Sequence, residues 1–231
     1  MKARHGRGAV IAILLLALLA VIGYAGYAAT SVYRQLDSGR QQLVAAQASM
    51  SAAARSGDPA QLQAAVSQLR QAERDFSDAG RRSKGDPALR LAGGIPAAGR
   101  QLDATAHLAT IGADMSRAGE SAAAVAMQVA ALKQEYAGRT LAPDDLQSLL
   151  QQAQLIARDY SASTRAIGEQ LRAAHAERAR VTTTDLVAPL KTAYDEVDRA
   201  LAEADTAFLR YQDVGQVLSD LLGVRLPAQA P

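Results

Sequence analysis

The sequence lacks cysteine throughout its 231 residues, and it also has no tryptophan and only two phenylalanines. The absence of cysteine excludes disulfide bonds, thiolate metal ligands and cysteine nucleophiles, and it is neutral about the cellular compartment. The scarcity of large aromatic side chains disfavours a sheet protein, in which aromatic and β-branched residues dominate. Abundant alanine instead favours helices that approach one another closely. The composition predicts an all-α protein without a thick enzyme core.

A strong excess of either charge is also missing, because the formal net charge is only +2. Lys2, Arg4 and Arg7 stand at the N-terminus, and residues 8–231 therefore carry a net charge of −1. Binding of phosphate backbones needs a basic face, so no nucleic-acid partner is predicted. The local trio Arg81, Arg82 and Lys84 is interpreted as a solvated helix end, where cations suit the helix dipole.

Residue patterns for metal binding are equally sparse. His5, His107 and His175 are far apart, and no H-E-x-x-H motif occurs. Asp103 and His107 share one helix face, but two ligands do not close a metal site, and hydrogen bonding at the helix surface is the favoured interpretation. No metal site is predicted.

Catalytic and cofactor patterns are missing as well. Gly93, Gly94 and Gly99 do not fit G-x-G-x-x-G, and a P-loop lysine is lacking. The acidic pairs Asp144–Asp145 and Asp195–Glu196 are interpreted as residues at or near helix N-termini, where the dipole explains them. The sequence therefore predicts no catalytic residue, no cofactor and no enzymatic activity.

The clearest feature that is present lies near the N-terminus, where residues 8–33 carry no charge. About 20 apolar residues suffice to cross a bilayer, so we predict a transmembrane helix at 8–30, with 1–7 as a cytoplasmic tail. Basic residues before the span place the N-terminus inside and the body outside, in a single-pass plasma-membrane topology. The alternative is a cleaved signal peptide ending near Gly26–Ala28. Three tyrosines near the outer boundary fit an interfacial belt or ordinary helix positions: Tyr24, Tyr27 and Tyr33.

Beyond the span, apolar residues recur at alternating spacings of three and four. This spacing is typical of coiled coils and antiparallel bundles, so we predict an extracytoplasmic, coiled-coil-like bundle of long helices at 31–222 and a flexible tail at 223–231. Methionine and tyrosine in these rows are interpreted as core residues. The three longest rows are Leu108, Ile111, Met115, Ala118, Ala122, Val125, Val129, Leu132 and Tyr136; Leu146, Leu149, Ala153, Ile156, Tyr160 and Ile167; and Leu190, Tyr194, Val197, Leu201, Ala204, Phe208, Tyr211, Gly215, Leu218 and Leu222.

Glycine, aspartate and proline mark the corners between these helices. S-G-D-P at 56–59 and K-G-D-P at 84–87 each combine a helix-ending glycine, an aspartate N-cap and a proline at the first helical position. Gly85 is expected to adopt a left-handed backbone, and Asp185 is a further capping candidate. Pro96 is expected to set the entry of a long helix, so the stretch K-G-D-P-A-L-R-L-A-G-G-I-P-A-A-G predicts a corner rather than a chemical site.

Several of these segments resemble a known family. The N-terminal membrane helix, S-G-D-P-A-Q-L-Q-A-A-V, G-D-P-A-L-R-L-A-G-G-I-P-A-A-G-R-Q-L-D-A-T and V-L-S-D-L-L-G-V are similar to the leading part of the bacterial, often actinobacterial, domain-of-unknown-function family numbered 4012. The resemblance implies a membrane anchor and an alanine-rich helical region before a larger extracytoplasmic domain. That larger domain does not follow Leu221–Gly223, where the family pattern expects it.

Together these features predict a membrane-anchored, non-catalytic scaffold or interaction protein of the bacterial cell envelope. Its expected partners are the lipid bilayer, through residues 8–30, and an envelope protein, with self-association through the helix rows as a further option. Two alternatives stay open. One is a ligand-sensing helical ectodomain, and the other is a truncated remnant of a larger envelope protein.

Overall fold

The computed structural model describes the backbone of residues 5–136 and 143–222, and the side chains of residues 28–136, 145 and 147–213. Within these residues all regular secondary structure is helical, which confirms the predicted all-α class. The helices are α1 (His5–Ser56), α2 (Pro59–Gly85), α3 (Pro87–Gly93), α4 (Pro96–Tyr136), α5 (Pro143–Arg180) and α6 (Ala188–Leu222).

The helix boundaries follow local chemistry. Gly57 ends α1 with a left-handed backbone at a φ of 71°, a conformation that glycine adopts without steric cost. Asp58 then caps α2, because its side chain accepts a hydrogen bond from the Ala60 amide at 2.9 Å. Proline starts α2, α3, α4 and α5, where its missing N–H has no helical partner to lose.

The long helices run up and down. Along α1 and α2 the contacts are antiparallel, since Ser38 donates to Asp75 while Ser49, farther along α1, donates to Gln68. The pairs α2 and α4, α4 and α5, and α5 and α6 are antiparallel by the same test. Helices α1 and α4 therefore run in the same direction. Cross-helix pairs that set these directions are Phe76 with Gly112, Leu69 with Gly119, His107 with Glu177, Ser121 with Ser163, Arg178 with Asp198, and Gly168 with Phe208.

Helix α4 lies at the centre and takes part in two three-helix units. The first unit comprises α1, α2 and α4, and the second comprises α4, α5 and α6. Towards the first unit α4 presents small residues, namely Ala109, Gly112, Ala113, Gly119 and Ala123. Towards the second unit it presents the larger residues of its predicted row, including Leu108, Ile111, Met115, Val125 and Leu132.

Phe76 of α2 is the wedge of the first unit. Its ring lies between two glycines, because a Cβ added at Gly39 of α1 would lie 3.0 Å from the ring and one added at Gly112 would lie 2.8 Å from it. Real Cβ atoms essentially never approach as closely as 2.8 Å, so a side chain at Gly112 would force the ring to shift, and one at Gly39 would crowd it. A single aromatic side chain thus fixes the relative height of three helices.

The predicted rows receive support where their side chains are described. Tyr160, Ile167 and Leu201 are buried, as expected for core positions, whereas Val129 is 44% exposed although it continues the α4 row. The side chains of Leu146, Gly215, Leu218 and Leu222 lie outside the described residues.

The predicted membrane span at 8–30 falls almost wholly outside the described side chains, and so do the tails at 1–7 and 223–231. Over the portions of the chain that the structure describes, no helix combines the length and the apolar character that a membrane crossing requires.

Candidate functional site

A network of titratable side chains joins α2, α4 and α5 around the middle of the bundle. His107 of α4 and Glu177 of α5 approach to 2.6 Å between Nδ1 and a carboxylate oxygen. Glu177 also accepts a hydrogen bond from Arg180, one turn later on its own helix. One carboxylate thereby binds a neighbouring helix and its own C-terminal turn, so the pairing holds α4 and α5 in register.

Asp114 is the most buried acid of this network, with a side chain only 8% exposed. Desolvation by burial raises the pKa of its carboxyl group, Arg117 opposes the rise, and the negative charge of Glu177 adds to it. Arg117 donates to Asp114 at 2.8 Å and, through its other terminal nitrogen, to Glu73 of α2 at 2.9 Å. The guanidinium of Arg117 therefore connects α2 with α4.

These partly buried charged side chains can fix the positions of the helices relative to one another. Truncating one partner of such a pair is costly because the remaining charge stays buried and unpaired. Among the described residues, no group of three or more histidine, aspartate and glutamate side chains is arranged to hold a metal ion.

A second row of polar contacts links α5 to α6. His175 approaches Asp205 at 2.9 Å, and Arg178 donates to Asp198 at 2.6 Å while lying 5.3 Å from the ring centre of Tyr194. The hydrogen bond from Arg178 lowers the pKa of the Asp198 carboxyl group. These groups are largely solvated, so they set orientation more than they stabilise.

Two tyrosines bring polar atoms into the second unit. Tyr160 and Tyr211 stack with ring centroids 4.7 Å apart, and the Tyr160 hydroxyl donates to the Tyr211 backbone carbonyl. Tyr211 donates to Ser163, which in turn donates to the Ser121 carbonyl of α4 at 2.9 Å. Burial raises the pKa of the Tyr211 hydroxyl. This chain of hydrogen bonds supports the interpretation of these tyrosines as core residues.

The predicted corner has the expected cap and proline but not the expected glycine. Asp86 accepts hydrogen bonds from the amides of Ala88 and Leu89, which confirms its capping role. The prediction of a left-handed Gly85 is wrong, since within the described residues the positive-φ glycine is Gly57. Gly85 remains helical because Asp86, in extended backbone, both ends α2 and starts α3.

Among the corner glycines, Gly99 permits close packing, whereas a Cβ at Gly85 would meet no atom within 4 Å. A Cβ at Gly99 would lie 2.7 Å from the Gly93 carbonyl oxygen, so the first turn of α4 can approach the end of α3 only with glycine at position 99. Nearby, the cations Arg81, Arg82 and Lys84 are exposed at the end of α2, as the sequence predicts. These features support the interpretation of the stretch as a corner.

Asp185 is not a helix cap, contrary to the prediction. It has a left-handed φ of 64° and precedes α6 by three residues. Its carboxylate accepts from Arg100 at 3.3 Å, and its carbonyl accepts from the Gln101 side chain at 2.7 Å. Short polar residues tolerate this backbone, and here the turn ties the α5–α6 loop to α4.

Sequence reasoning also missed the partners of two charged residues. His107 binds Glu177 on another helix, a pairing that local spacing with Asp103 does not indicate. Glu196 lies past the first turn of α6 and accepts from Arg40 of α1 at 2.9 and 3.2 Å, so it is not a helix N-terminal acid. Both contacts join residues at least 70 positions apart, and no sequence spacing reports them.

No protein-family model, curated protein or solved structure matches the chain. The resemblance to the family numbered 4012 therefore stays a prediction.

Proposed function

We propose that the protein is a membrane-anchored, extracytoplasmic helical scaffold of the bacterial cell envelope. The observation that carries this proposal is the continuity of α1, which is one helix from His5 to Ser56. The uncharged sequence at 8–33 occupies its N-terminal part, and Val32, Ala46 and Ala53 of its C-terminal part are buried in the bundle. An anchor built this way has no flexible linker before the body.

The contacts of α1 support a rigid connection between the proposed anchor and the bundle. Ala28 and Val32 pack with Ala79, Leu89 and Ala109, so α1 is held by α2, α3 and α4 from the first residues whose side chains are described. Arg40 and Glu196 add a contact to α6. A helix fixed in this manner transmits the position of the anchor to the whole bundle, which suits a protein that holds or spaces an envelope partner.

The scaffold proposal includes the coiled-coil-like packing of the long helices and a protein partner in the envelope. It assigns no catalytic step to the polar network, whose carboxylates have arginine or histidine partners at hydrogen-bond distance. Fixed charges between helices favour a rigid body over one that rearranges on binding a ligand.

Membrane integration and orientation test the proposal. Alkaline phosphatase fused after Pro231 should be active in a bacterial host, and the fusion should stay in the membrane fraction after a carbonate wash. A reporter that fluoresces only in the cytoplasm, fused at the same position, should be dark if the body is outside. An inactive phosphatase fusion with a bright cytoplasmic reporter would overturn the proposed topology.

A further inference from the structure

Three large exposed apolar side chains lie together at one end of the bundle, and others, including Leu155 and Leu209, lie away from it. Leu91 is 69% exposed, Ile95 61% and Val187 51%. Ile95 precedes α4, and Val187 lies in the α5–α6 loop, which is held against α4 because the Gln101 side chain accepts from the Val187 amide at 3.1 Å. We call residues 78–100 and 181–189 the basal end. Large apolar side chains that are exposed together mark an interaction surface.

The height of the basal end can be read from the Phe76 wedge, at which Gly39 of α1 and Gly112 of α4 lie at one level. Each helical residue rises about 1.5 Å, so Ala28 and Gln101 both lie about 16 Å from this level, in the same direction. Ile95 lies about 25 Å from it. Val187 is therefore level with Ala28, and Ile95 is level with about residue 22 of α1.

These heights coincide with the outer end of the predicted membrane span. About 20 residues cross the hydrocarbon core, and the headgroup layer adds roughly 5–8 Å on each side. A span that begins at residue 8 leaves the hydrocarbon near residue 27 and the headgroups near residue 32. Val187, level with Ala28, then lies where the hydrocarbon meets the headgroups. Ile95, level with about residue 22, lies about 7 Å inside the hydrocarbon.

The charge of the basal end suits the same environment. Its two segments carry a net charge of +2, and the exposed cations include Arg82, Lys84 and Arg90. Cations near a membrane surface are attracted by anionic headgroups, and their long stems can lie along apolar surface while the charge stays in water. Asp86 and Asp185 are engaged in the helix cap and the Arg100 contact.

We propose that the basal end is a lipid-contact surface, which reaches from the outer headgroup layer into the hydrocarbon, with Leu91, Ile95 and Val187 against lipid. This inference rests on the proposed membrane anchor. It gives the bundle a second attachment beside α1, so the long axis is held at a fixed angle to the membrane. Exposed apolar residues at this end are thereby covered by the bilayer and not by a protein.

The absence of cysteine allows a direct test with the full-length protein reconstituted in vesicles of zwitterionic and anionic phospholipid. Ile95→Cys and Val187→Cys would each carry an environment-sensitive fluorophore, and Leu150→Cys, which is 53% exposed near the opposite end of α5, is the matched control. We expect a blue-shifted emission and several-fold stronger quenching by bromolipids at positions 95 and 187 than at position 150. Iodide in water should quench the label at 150 most strongly.

Each other outcome contradicts a specific part of the proposal. If carbonate removes the protein from the vesicles, the membrane anchor is wrong and the lipid-contact surface fails with it. If the protein stays in the vesicles but the label at 95 responds to iodide as the label at 150 does, only the lipid contact is wrong. A label at 95 that neither quencher reaches would mean that protein covers this end. Circular dichroism of each variant controls for folding, since all three positions are exposed.

Discussion

The two three-helix units that share α4 are built differently. In the first unit, glycine and alanine let α1, α2 and α4 approach closely around larger side chains such as Phe76 and Leu69. In the second unit, larger residues such as Ile111 and Leu201 fill the space between α4, α5 and α6, and tyrosine and serine hydroxyls enter it. The first unit, which contains the proposed anchor helix α1, includes the close approaches of Phe76 to Gly39 and Gly112.

This difference predicts opposite sensitivities. A close-packed glycine interface should resist added volume, because neither backbone can move without disturbing the other. An interface of larger side chains should respond mainly to lost volume, through the cavity that remains. One helix thus experiences two kinds of packing on its two faces.

The largest expected effect comes from removing the wedge. Phe76→Ala should lower the free energy of unfolding by about 3–5 kcal/mol, because the ring fills the space between two glycines. Chemical denaturation of the full chain in detergent, followed by circular dichroism, measures this loss. Ile111→Ala in the second unit should cost about 2–5 kcal/mol. A loss below about 1 kcal/mol for Phe76→Ala would show that the first unit does not depend on the wedge.

Added volume should test the close packing around Phe76 in the first unit. Gly112→Ala gains about 1 kcal/mol of helix propensity but forces a Cβ to within 2.8 Å of the Phe76 ring, at a cost of about 1–3 kcal/mol. Gly80→Ala is the control, since its new Cβ would lie 3.6 Å from Ala109, an ordinary contact. The difference between the two unfolding free energies isolates the overpacking. Equal stabilisation of both variants would contradict a close-packed first unit.

The corner that joins α2 to α4 should contribute less. Asp86→Ala should cost about 1 kcal/mol, because the amides of Ala88 and Leu89 lose their acceptor. Asp185→Asn is the matched change in the second unit. Asparagine tolerates the left-handed backbone, and only an exposed contact with Arg100 is lost. This variant should therefore change the free energy of unfolding by less than about 0.5 kcal/mol. Thermal melts of both variants measure the difference. Equal losses would mean that the cap does not set the corner.

The smallest expected effect is a pH dependence at Asp114. Burial raises the pKa of the Asp114 carboxyl group in the folded state above its ordinary value of 3.8. The wild type therefore loses stability as the pH rises from this ordinary value through the higher pKa of the folded state. Asp114→Asn removes this loss, and its stability relative to wild type should be more favourable at pH 7 than at about pH 3.5. Arg117 keeps its contact with Glu73 in the variant.

Asp198→Asn provides a control of opposite sign. The pKa of Asp198 is lowered by the hydrogen bond from Arg178, so its contribution to stability is present above the unfolded pKa and is lost on acidification. That variant should therefore be less favourable, relative to wild type, at pH 7 than at about pH 3.5. Denaturation at the two pH values measures both variants. The same sign for both would contradict the assignment of burial as the main influence on Asp114.

Much of the helical architecture follows from sequence spacing. Prolines and the caps Asp58 and Asp86 predict where helices begin, and the row of larger residues predicts an apolar face on α4, which the structure packs against α5 and α6. The face of α4 that packs on α1 and α2 cannot be predicted in this way. Gly112 and Gly119 add no apolar side chain to the pattern, although Phe76 and Leu69 pack directly against them.

The polar network could not be predicted in the same way. His107 and Glu177 meet only because α4 and α5 are antiparallel with a particular register, and a register depends on packing over the whole length of both helices. The turn at Asp185 could not be predicted from its neighbours in sequence either. Its threonine-rich surroundings suggest a cap, whereas a contact with Arg100 and Gln101, far away in sequence, determines its turn.

The central claim is that α1 anchors the bundle with its body outside the membrane, and cysteine accessibility tests it most directly. In intact bacterial spheroplasts, a membrane-impermeant maleimide should label Ser56→Cys, which lies at the end of α1 farthest from the span. It should label Ala3→Cys only after lysis, because the positive-inside rule places the basic N-terminus in the cytoplasm. Labelling of Ala3→Cys but not of Ser56→Cys in intact spheroplasts would contradict the account.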